Sequence, residues 1–169
     1  VLVFQREGDK LFTQADFGYD VLVGPARGSP LQLTLNTIYH LDVSPGLLDY
    51  DVFKQLRANR GTVRLAIPIA VGDTYAGLPI VGTSPRMFNH TEPADGSEPQ
   101  PIAREGPNAM APWEYRREKS LELAEGRIFH PKRFEAVLGY DVPARSDLRM
   151  GTHFHATHGN PKPGEEPDV

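Results

Sequence analysis

The sequence predicts a mixed α/β (α+β) fold, with short helices packed on small mixed sheets in one domain or in two small lobes. Two observations support this class. The first half of the chain sets short β-like runs beside two helix-like runs, an order typical of α+β lobes. A segment over 89–112 then carries five prolines and little aliphatic periodicity, which indicates a linker or a long loop. The 169 residues suffice for one domain of ordinary size or for two small lobes.

The first lobe is expected over 13–88. Within it, "YDVLVG" at 19–24 is a short apolar run that ends in glycine and predicts a buried strand. Ser29 is placed to cap a helix, and Pro30 suits the first helical position. The run "PLQLTLNTIYH" therefore predicts a helix, although "LQLTL" alone would also alternate as a strand.

Two further elements complete the predicted first lobe. "YDVFKQLRAN" predicts a short helix whose inward face holds Val52, Phe53 and Leu56. "GTVRLAIPIAVGD" and "TYAGLPIVGT" are β-rich and predict an antiparallel pair of strands joined at Gly72 and Asp73. The core of this first lobe is expected to include Ile67, Ile69, Ile80 and Val81.

The second half, after the proline-rich segment at 89–112, holds three further predicted elements. "WEYRREKSLELAEG" predicts a polar helix that ends at Gly126. "RFEAVLGYDV" predicts a strand over 134–138, and "PARSDLRMG" predicts a turn or short helix. The tail at 160–169 is rich in proline and acidic residues, a composition typical of disorder.

The composition narrows the classes of partner. A net charge of −4 argues against nucleic acid, because phosphate binding needs a basic face. The chain contains no cysteine, so it has neither disulfides nor thiolate metal ligands. No apolar run approaches the ~20 residues that a membrane span needs. The chain opens at Val1 without an initiator Met, so we expect flanking sequence on both sides.

The segment "MGTHFHATHG" places His153, His155 and His158 within six residues. Neutral imidazole is a ligand for zinc, copper or nickel, and in an extended chain His153 and His155 share one face. His158 can join them only if the chain turns, which Gly159 permits. A closed site would still need a fourth ligand, from a distant residue or from Glu165, Glu166 or Asp168. The alternative is a strand end whose polar side chains face solvent. We expect no obligatory cofactor and at most weak zinc binding. A metal-binding sensor or delivery domain built around these histidines is the alternative function.

Catalytic motifs are absent from the sequence. There is no G-x-S-x-G, no H-E-x-x-H and no phosphate-binding loop with its lysine. A hydrolase assembled from scattered residues would need Ser29, His40 and Asp73 around one cleft. "NHT", which begins at Asn89, matches a glycosylation acceptor, a motif that also arises by chance. The residues alone therefore predict a mixed α/β domain that is not an enzyme.

Two stretches carry a resemblance to a known family. "DVLVGPARGSPLQLTLNTIYHLDVSPG" and the later "LAIPIAVGDTYAGLPIVGT" resemble the extracytoplasmic, MacB-like periplasmic core domain of FtsX-type ABC transporter permeases. "GRIFHPKRFEAVLGYDV" resembles the family's strand that returns from the second lobe. "LRMGTHFHATHG" resembles the turn and strand that follow it. The resemblance covers roughly 13–159. In two places the chain departs from the family pattern: "DVPARSDLRMG" lacks the usual Ala- and Leu-rich helix, and the strand that normally closes the domain is missing.

The resemblance implies a permease subunit with four membrane helices in a bacterial cytoplasmic (inner) membrane. The two-lobed domain lies between the first and second helices, on the periplasmic side. Residues 1–12 would continue the first membrane helix, and 13–88 would form the membrane-proximal lobe. The inserted second-lobe region would lie at 89–133, with the proline-rich linker, and the return strands at 134–159. The complete gene would then encode one span before Val1 and three after Val169.

The resemblance also implies partners. A separate cytoplasmic ATPase subunit would hydrolyse ATP, and the permease, expected as a homodimer, would transmit that cycle to an envelope substrate or a periplasmic partner protein. No catalytic residues carry over from the family. The proline-rich segment at 89–112 is a candidate for a bendable connection between the lobes, or an ordinary surface loop.

Overall fold

The computed structural model describes residues 18–41, 44, 46–115 and 118–159. This part of the chain is a mixed α+β fold, as the sequence predicts. Its elements, in chain order, are α1 Pro30–Thr37, α2 Tyr50–Ala58, β1 Ala70–Tyr75, β2 Leu78–Gly82, a 3₁₀ helix Pro85–Phe88, α3 Val142–Arg145 and β3 Thr157–His158. The predicted helix end at 1–12 and the predicted disordered tail at 160–169 lie outside the described residues. None of the helices in the described residues is long and apolar enough to cross a membrane.

Helix α1 begins where the sequence predicts. Ser29 Oγ accepts a hydrogen bond from the Gln32 N–H at 3.1 Å, and Pro30 takes the first helical position, where its missing N–H costs nothing. The helix is shorter than predicted. It ends at Thr37, and His40 then adopts a left-handed φ of 53°, which turns the chain away from the helix axis.

Helix α2 also begins at a side-chain cap. Asp49 Oδ1 accepts from the Asp51 N–H at 2.8 Å, so a carboxylate lies at the positive end of the helix dipole. The predicted inward face is confirmed, because Val52, Phe53 and Leu56 are half-buried while the other residues of the helix are exposed.

The predicted antiparallel pairing is confirmed in β1 and β2, with Tyr75 opposite Leu78. The position of the turn is corrected. It lies at Ala76 and Gly77, both with positive φ (49° and 75°), as two-residue hairpin turns require. Gly72 instead marks a bulge in β1, where the register shifts between Val71 and Asp73.

Strand β1 is the centre of a three-stranded antiparallel sheet with the order β2-β1-β3. The four side chains predicted for the core of the first lobe are only half-buried: Ile67 and Ile69 precede β1, while Ile80 and Val81 lie on β2. The buried residue of β2 is Leu78, which is 8% exposed.

Two predicted strands do not form. Residues 19–24 run without strand pairing, and Gly24 lies so close to helix α1 that an added Cβ would stand 2.6 Å from Leu33 Cδ1. Residues 134–138 are also irregular. There the Glu135 side chain turns back to the Arg127 guanidinium, and Phe134 is left fully exposed. In both places an apolar run predicts a strand. Neither run forms one, because within the described residues no neighbouring strand pairs with it.

The predicted polar helix that ends at Gly126 is wrong. The described residues from 113 to 126 form loops. The Tyr115 N–H donates to the Lys119 carbonyl at 2.9 Å, and Glu118 has a left-handed φ of 61°. Neither feature is compatible with an α-helix, and Trp113 is buried at 6% exposure. Tertiary anchoring of Trp113 outweighs the favourable helix propensity of the residues after it, which amounts to only a few tenths of a kcal/mol per residue, roughly.

The proline-rich segment has no helix and its first part folds back on itself. The Thr91 N–H donates to the Gln100 carbonyl at 2.8 Å, and the Ile102 N–H donates to the Asn89 carbonyl at 2.9 Å. Ile102 is 8% exposed and belongs to the buried apolar set. The other members come from the hairpin and the second half of the chain: Leu78, Trp113, Ile128 and Leu148. The segment thus contributes to the packed interior.

Candidate functional site

The histidine segment runs beside strand β1. Strand β3 pairs antiparallel with β1 and sets His158 opposite Asp73. Two bonds extend the pairing by one residue: the Gly159 N–H donates to the Gly72 carbonyl at 2.7 Å, and Thr74 Oγ1 donates to the Gly159 carbonyl at 2.9 Å. The backbone therefore fixes the relative positions of His158 and Asp73.

The side chains of this cross-strand pair are in contact. His158 Nδ1 lies 2.9 Å from Asp73 Oδ1. Both side chains are open to water, at 86% exposure for His158 and 51% for Asp73. An exposed pair of this kind contributes little to stability, roughly 0–1 kcal/mol. The pair therefore adds little to the stability of the contact between β1 and β3.

The other two candidate histidines lie elsewhere on the segment. His153 and His155 are exposed and flank the half-buried Phe154. The Phe154 ring meets the Tyr75 ring edge-on, with centroids 5.4 Å apart, which anchors the segment over β1. The Tyr75 hydroxyl donates to Asp147 Oδ1 at 2.8 Å, and this hydrogen bond raises the pKa of Tyr75.

The structure does not gather the three histidines around one point. Among the described residues, no group of three or more His, Asp or Glu side chains is arranged to hold a metal ion. The acidic residues considered as fourth ligands, Glu165, Glu166 and Asp168, lie outside the described residues. What the fold provides is the two-residue pair of His158 with Asp73.

Sequence reasoning missed the role of Asp73 as the partner of His158. The two residues are 85 positions apart, and no local spacing connects them. The sequence places Asp73 in a β-rich run and His158 in a run expected to be extended. Nothing in the sequence indicates that the two runs are neighbours.

The residues that a scattered hydrolase would need are also apart. Ser29 caps helix α1, and Asp73 pairs with His158 on the sheet. His40 lines a cleft of about 870 Å³, but neither Ser29 nor Asp73 lines that cleft. The described residues do not bring these three side chains to a common cleft.

A second cleft, of about 1120 Å³, is lined mainly by apolar residues from 19–25 and 62–71. Several large apolar side chains on it remain open to water: Val21 is 70% exposed and Leu47 is 96% exposed. Large apolar side chains that stay exposed along a cleft are candidates for contact with another polypeptide or segment.

Comparison with protein-family models, with curated proteins and with solved structures gives no match for this chain.

Proposed function

We propose that the chain is the extracytoplasmic domain of an FtsX/MacB-type ABC transporter permease. It couples ATP hydrolysis by a separate cytoplasmic ATPase to the movement or export of an envelope substrate. The observation that carries the proposal is the family-like order of two motifs. "GSPLQL" contains the cap and first turn of α1, and "VGDTYAGLPIVGT" spans the β1–β2 hairpin.

The role assigned to the domain is mechanical. Movement of the membrane helices would be passed on to a lobe on the periplasmic side. This transmission requires lobes that move as rigid bodies. Rigidity in the hairpin half is supported by the β1–β2 ladder and by the 3₁₀ helix that follows it. The two-lobed division, with the inserted region at 89–133, is part of this proposal. Catalysis is assigned to the ATPase subunit and not to this domain.

The partners belong to the same proposal. The permease is expected to work as a homodimer, with the ATPase on the cytoplasmic side and an envelope protein on the periplasmic side. The exposed apolar side chains along the larger cleft, such as Val21 and Leu47, support a protein contact on this domain.

The test is the side of the membrane on which the domain lies. The 169 residues contain no cysteine, so a single Leu47→Cys substitution in the full-length protein places one thiol at a site that is 96% exposed. A maleimide that does not cross the cytoplasmic membrane should label this thiol in intact cells whose outer layers are permeable to it. Labelling is read by the mass shift of the purified protein.

Two controls accompany the labelling. The parent protein without the added cysteine reports any reactive thiol outside the 169 residues. A cytosolic protein with an exposed cysteine reports leakage of the reagent. Labelling of Leu47→Cys only after the cells are opened would contradict the proposed topology. So would a complete gene that lacks one apolar span of ~20 residues before Val1 and three after Val169.

A further inference from the structure

The geometry points to a solvent-open binding site for a divalent metal ion such as zinc, with Asp73 and His158 as its two protein ligands. Imidazole nitrogen and carboxylate oxygen are both common zinc ligands, and each is present once in this pair. The inference does not depend on the proposed permease role, because it rests only on the contact between β1 and β3.

The spacing of the two donor atoms fits a shared metal ion. With metal–ligand bonds of about 2.0–2.2 Å, two neighbouring ligands of one zinc ion lie roughly 3.0–3.4 Å apart, depending on the angle between them. Nδ1 of His158 and Oδ1 of Asp73 are 2.9 Å apart in the hydrogen-bonded state. A shift of a few tenths of an ångström would therefore bring both atoms to coordinating positions.

The fold holds this pair in place before any metal arrives. Asp73 and His158 are register partners on adjacent strands, and the Gly159 N–H bond to the Gly72 carbonyl closes the ladder beside them. The bulge at Gly72 sets the direction of this part of β1. An added Cβ at Gly72 would lie 4.0 Å from His158 Cε1, so the imidazole ring passes over a residue that has no side chain.

Metal binding at this pair needs only a local proton rearrangement. A neutral imidazole can bond to the metal through Nδ1 when its single proton is on Nε2, and a carboxylate binds as the anion. The metal then takes the place of the hydrogen atom shared by Nδ1 and Oδ1. With 86% and 51% of the two side chains exposed, water can fill the remaining coordination positions.

Two protein ligands indicate a site for exchangeable metal. Structural zinc sites are closed by four protein ligands, whereas sites with open positions accept water or a further donor. The site assigned to Asp73 and His158 is of the second kind. Its open positions would accept a third donor from a partner molecule.

The experiment is a titration of the 169-residue chain with zinc chloride, with the nitrogen atoms of the histidine rings labelled with ¹⁵N. Long-range proton–nitrogen spectra follow both nitrogens of each of the six rings separately. We expect Nδ1 of His158 to show the first and largest saturable shift. Asp73→Asn should weaken binding about tenfold or more, since even the loss of an outer-shell partner costs 10–100-fold.

The matched control is the double variant His153→Asn/His155→Asn, which keeps the pair and removes the H-x-H motif. It should bind zinc within about twofold of the parent, and backbone amide shifts of Thr74 and Thr157 report whether each variant retains the β1–β3 pairing. The inference fails if the control loses binding while Asp73→Asn keeps it, because the site then lies at His153 and His155. It also fails if no ring responds by about 1 mM zinc.

Discussion

The Asn89 side chain holds the main chain of Trp113 at both of its polar groups. Asn89 Oδ1 accepts from the Trp113 N–H at 2.6 Å, and Asn89 Nδ2 donates to the Trp113 carbonyl at 3.0 Å. Asn89 itself has a left-handed conformation at the end of the 3₁₀ helix, which asparagine tolerates better than most residues. The contact joins the hairpin half of the chain to the segment around Trp113.

Replacement of Asn89 by alanine is expected to destabilise the fold. The buried Trp113 N–H would lose its partner, and the Trp113 carbonyl would keep only its bond from Ser120 Oγ at 3.1 Å, so the change should cost about 2–3 kcal/mol. Urea unfolding followed by Trp113 fluorescence measures this, because Trp113 is the sole tryptophan of the chain. Asn59→Ala, at an exposed helix end, is the control and should change the free energy of unfolding by less than about 1 kcal/mol.

The same contact bears on the "NHT" motif that begins at Asn89. The residue is 8% exposed, and both polar atoms of its amide are bonded to Trp113. A glycan could not be attached to this nitrogen in the folded chain without breaking the contact.

Gly18 is expected to tolerate no side chain. Its φ is 71°, and an added Cβ would lie 2.0 Å from the Glu114 carbonyl oxygen. The Gly18 carbonyl also accepts the Trp113 ring N–H at 3.2 Å, so a local shift would disturb that bond. Gly18→Ala should cost about 1–3 kcal/mol in the free energy of unfolding. In the matched variant Gly61→Ala the new methyl group meets open space, and stability should be unchanged or up to about 1 kcal/mol higher. Equal stability of the two variants would contradict the close approach at Gly18.

Leu78 is expected to matter more than Ile69 to the hairpin. Leu78 is 8% exposed, whereas Ile69 is half-buried and precedes β1. Leu78→Ala should cost about 2–4 kcal/mol, and Ile69→Ala clearly less, because truncation costs rise with burial. Chemical unfolding of both variants under one set of conditions tests this order. A larger loss of stability for Ile69→Ala would mean that the chain before β1 packs more tightly than Leu78 on β2.

Glu135 is expected to make the stability of the fold sensitive to acid. Its hydrogen bonds from the Arg127 guanidinium and then from the His130 N–H lower its pKa from 4.5 to about 2. Because the folded pKa is lower than the unfolded one, the contribution is present above about pH 4.5 and is lost as the pH falls towards 2. Unfolding measured across this range should show a steeper acid decline for the parent than for Glu135→Gln. Parallel curves would mean that Glu135 has no such role.

Folding of the chain is expected to need no zinc. The side chains of His153, His155 and His158 are open to water, whereas structural zinc is enclosed by four ligands. Circular dichroism and thermal unfolding should therefore be cooperative in the presence of a strong chelator. Loss of the cooperative transition on chelation, with recovery after zinc is added, would make the metal structural.

Local sequence signals predicted the parts of the fold that depend on near neighbours. The helix start at Ser29 and Pro30 needs only a hydroxyl that reaches an N–H three residues on, together with a ring whose φ is already helical. The β1–β2 pairing likewise joins runs that adjoin in sequence. Even here the turn was misplaced, because glycine at 72 and glycine at 77 look alike in a sequence, while one marks a bulge and the other a turn.

The tertiary structure alone decided the rest. The run after Trp113 has the composition of a polar helix, but its described residues are not helical. The Trp113 ring is buried, and its main chain is hydrogen-bonded to the side chain of Asn89, 24 positions away. The pair of Asp73 with His158 depends on strands 85 positions apart that meet through backbone hydrogen bonds. Backbone hydrogen bonds between strands are nearly independent of side-chain identity, so the sequence carries little trace of which runs will meet. Propensity is worth at most about 1 kcal/mol per residue, and a few buried contacts outweigh it.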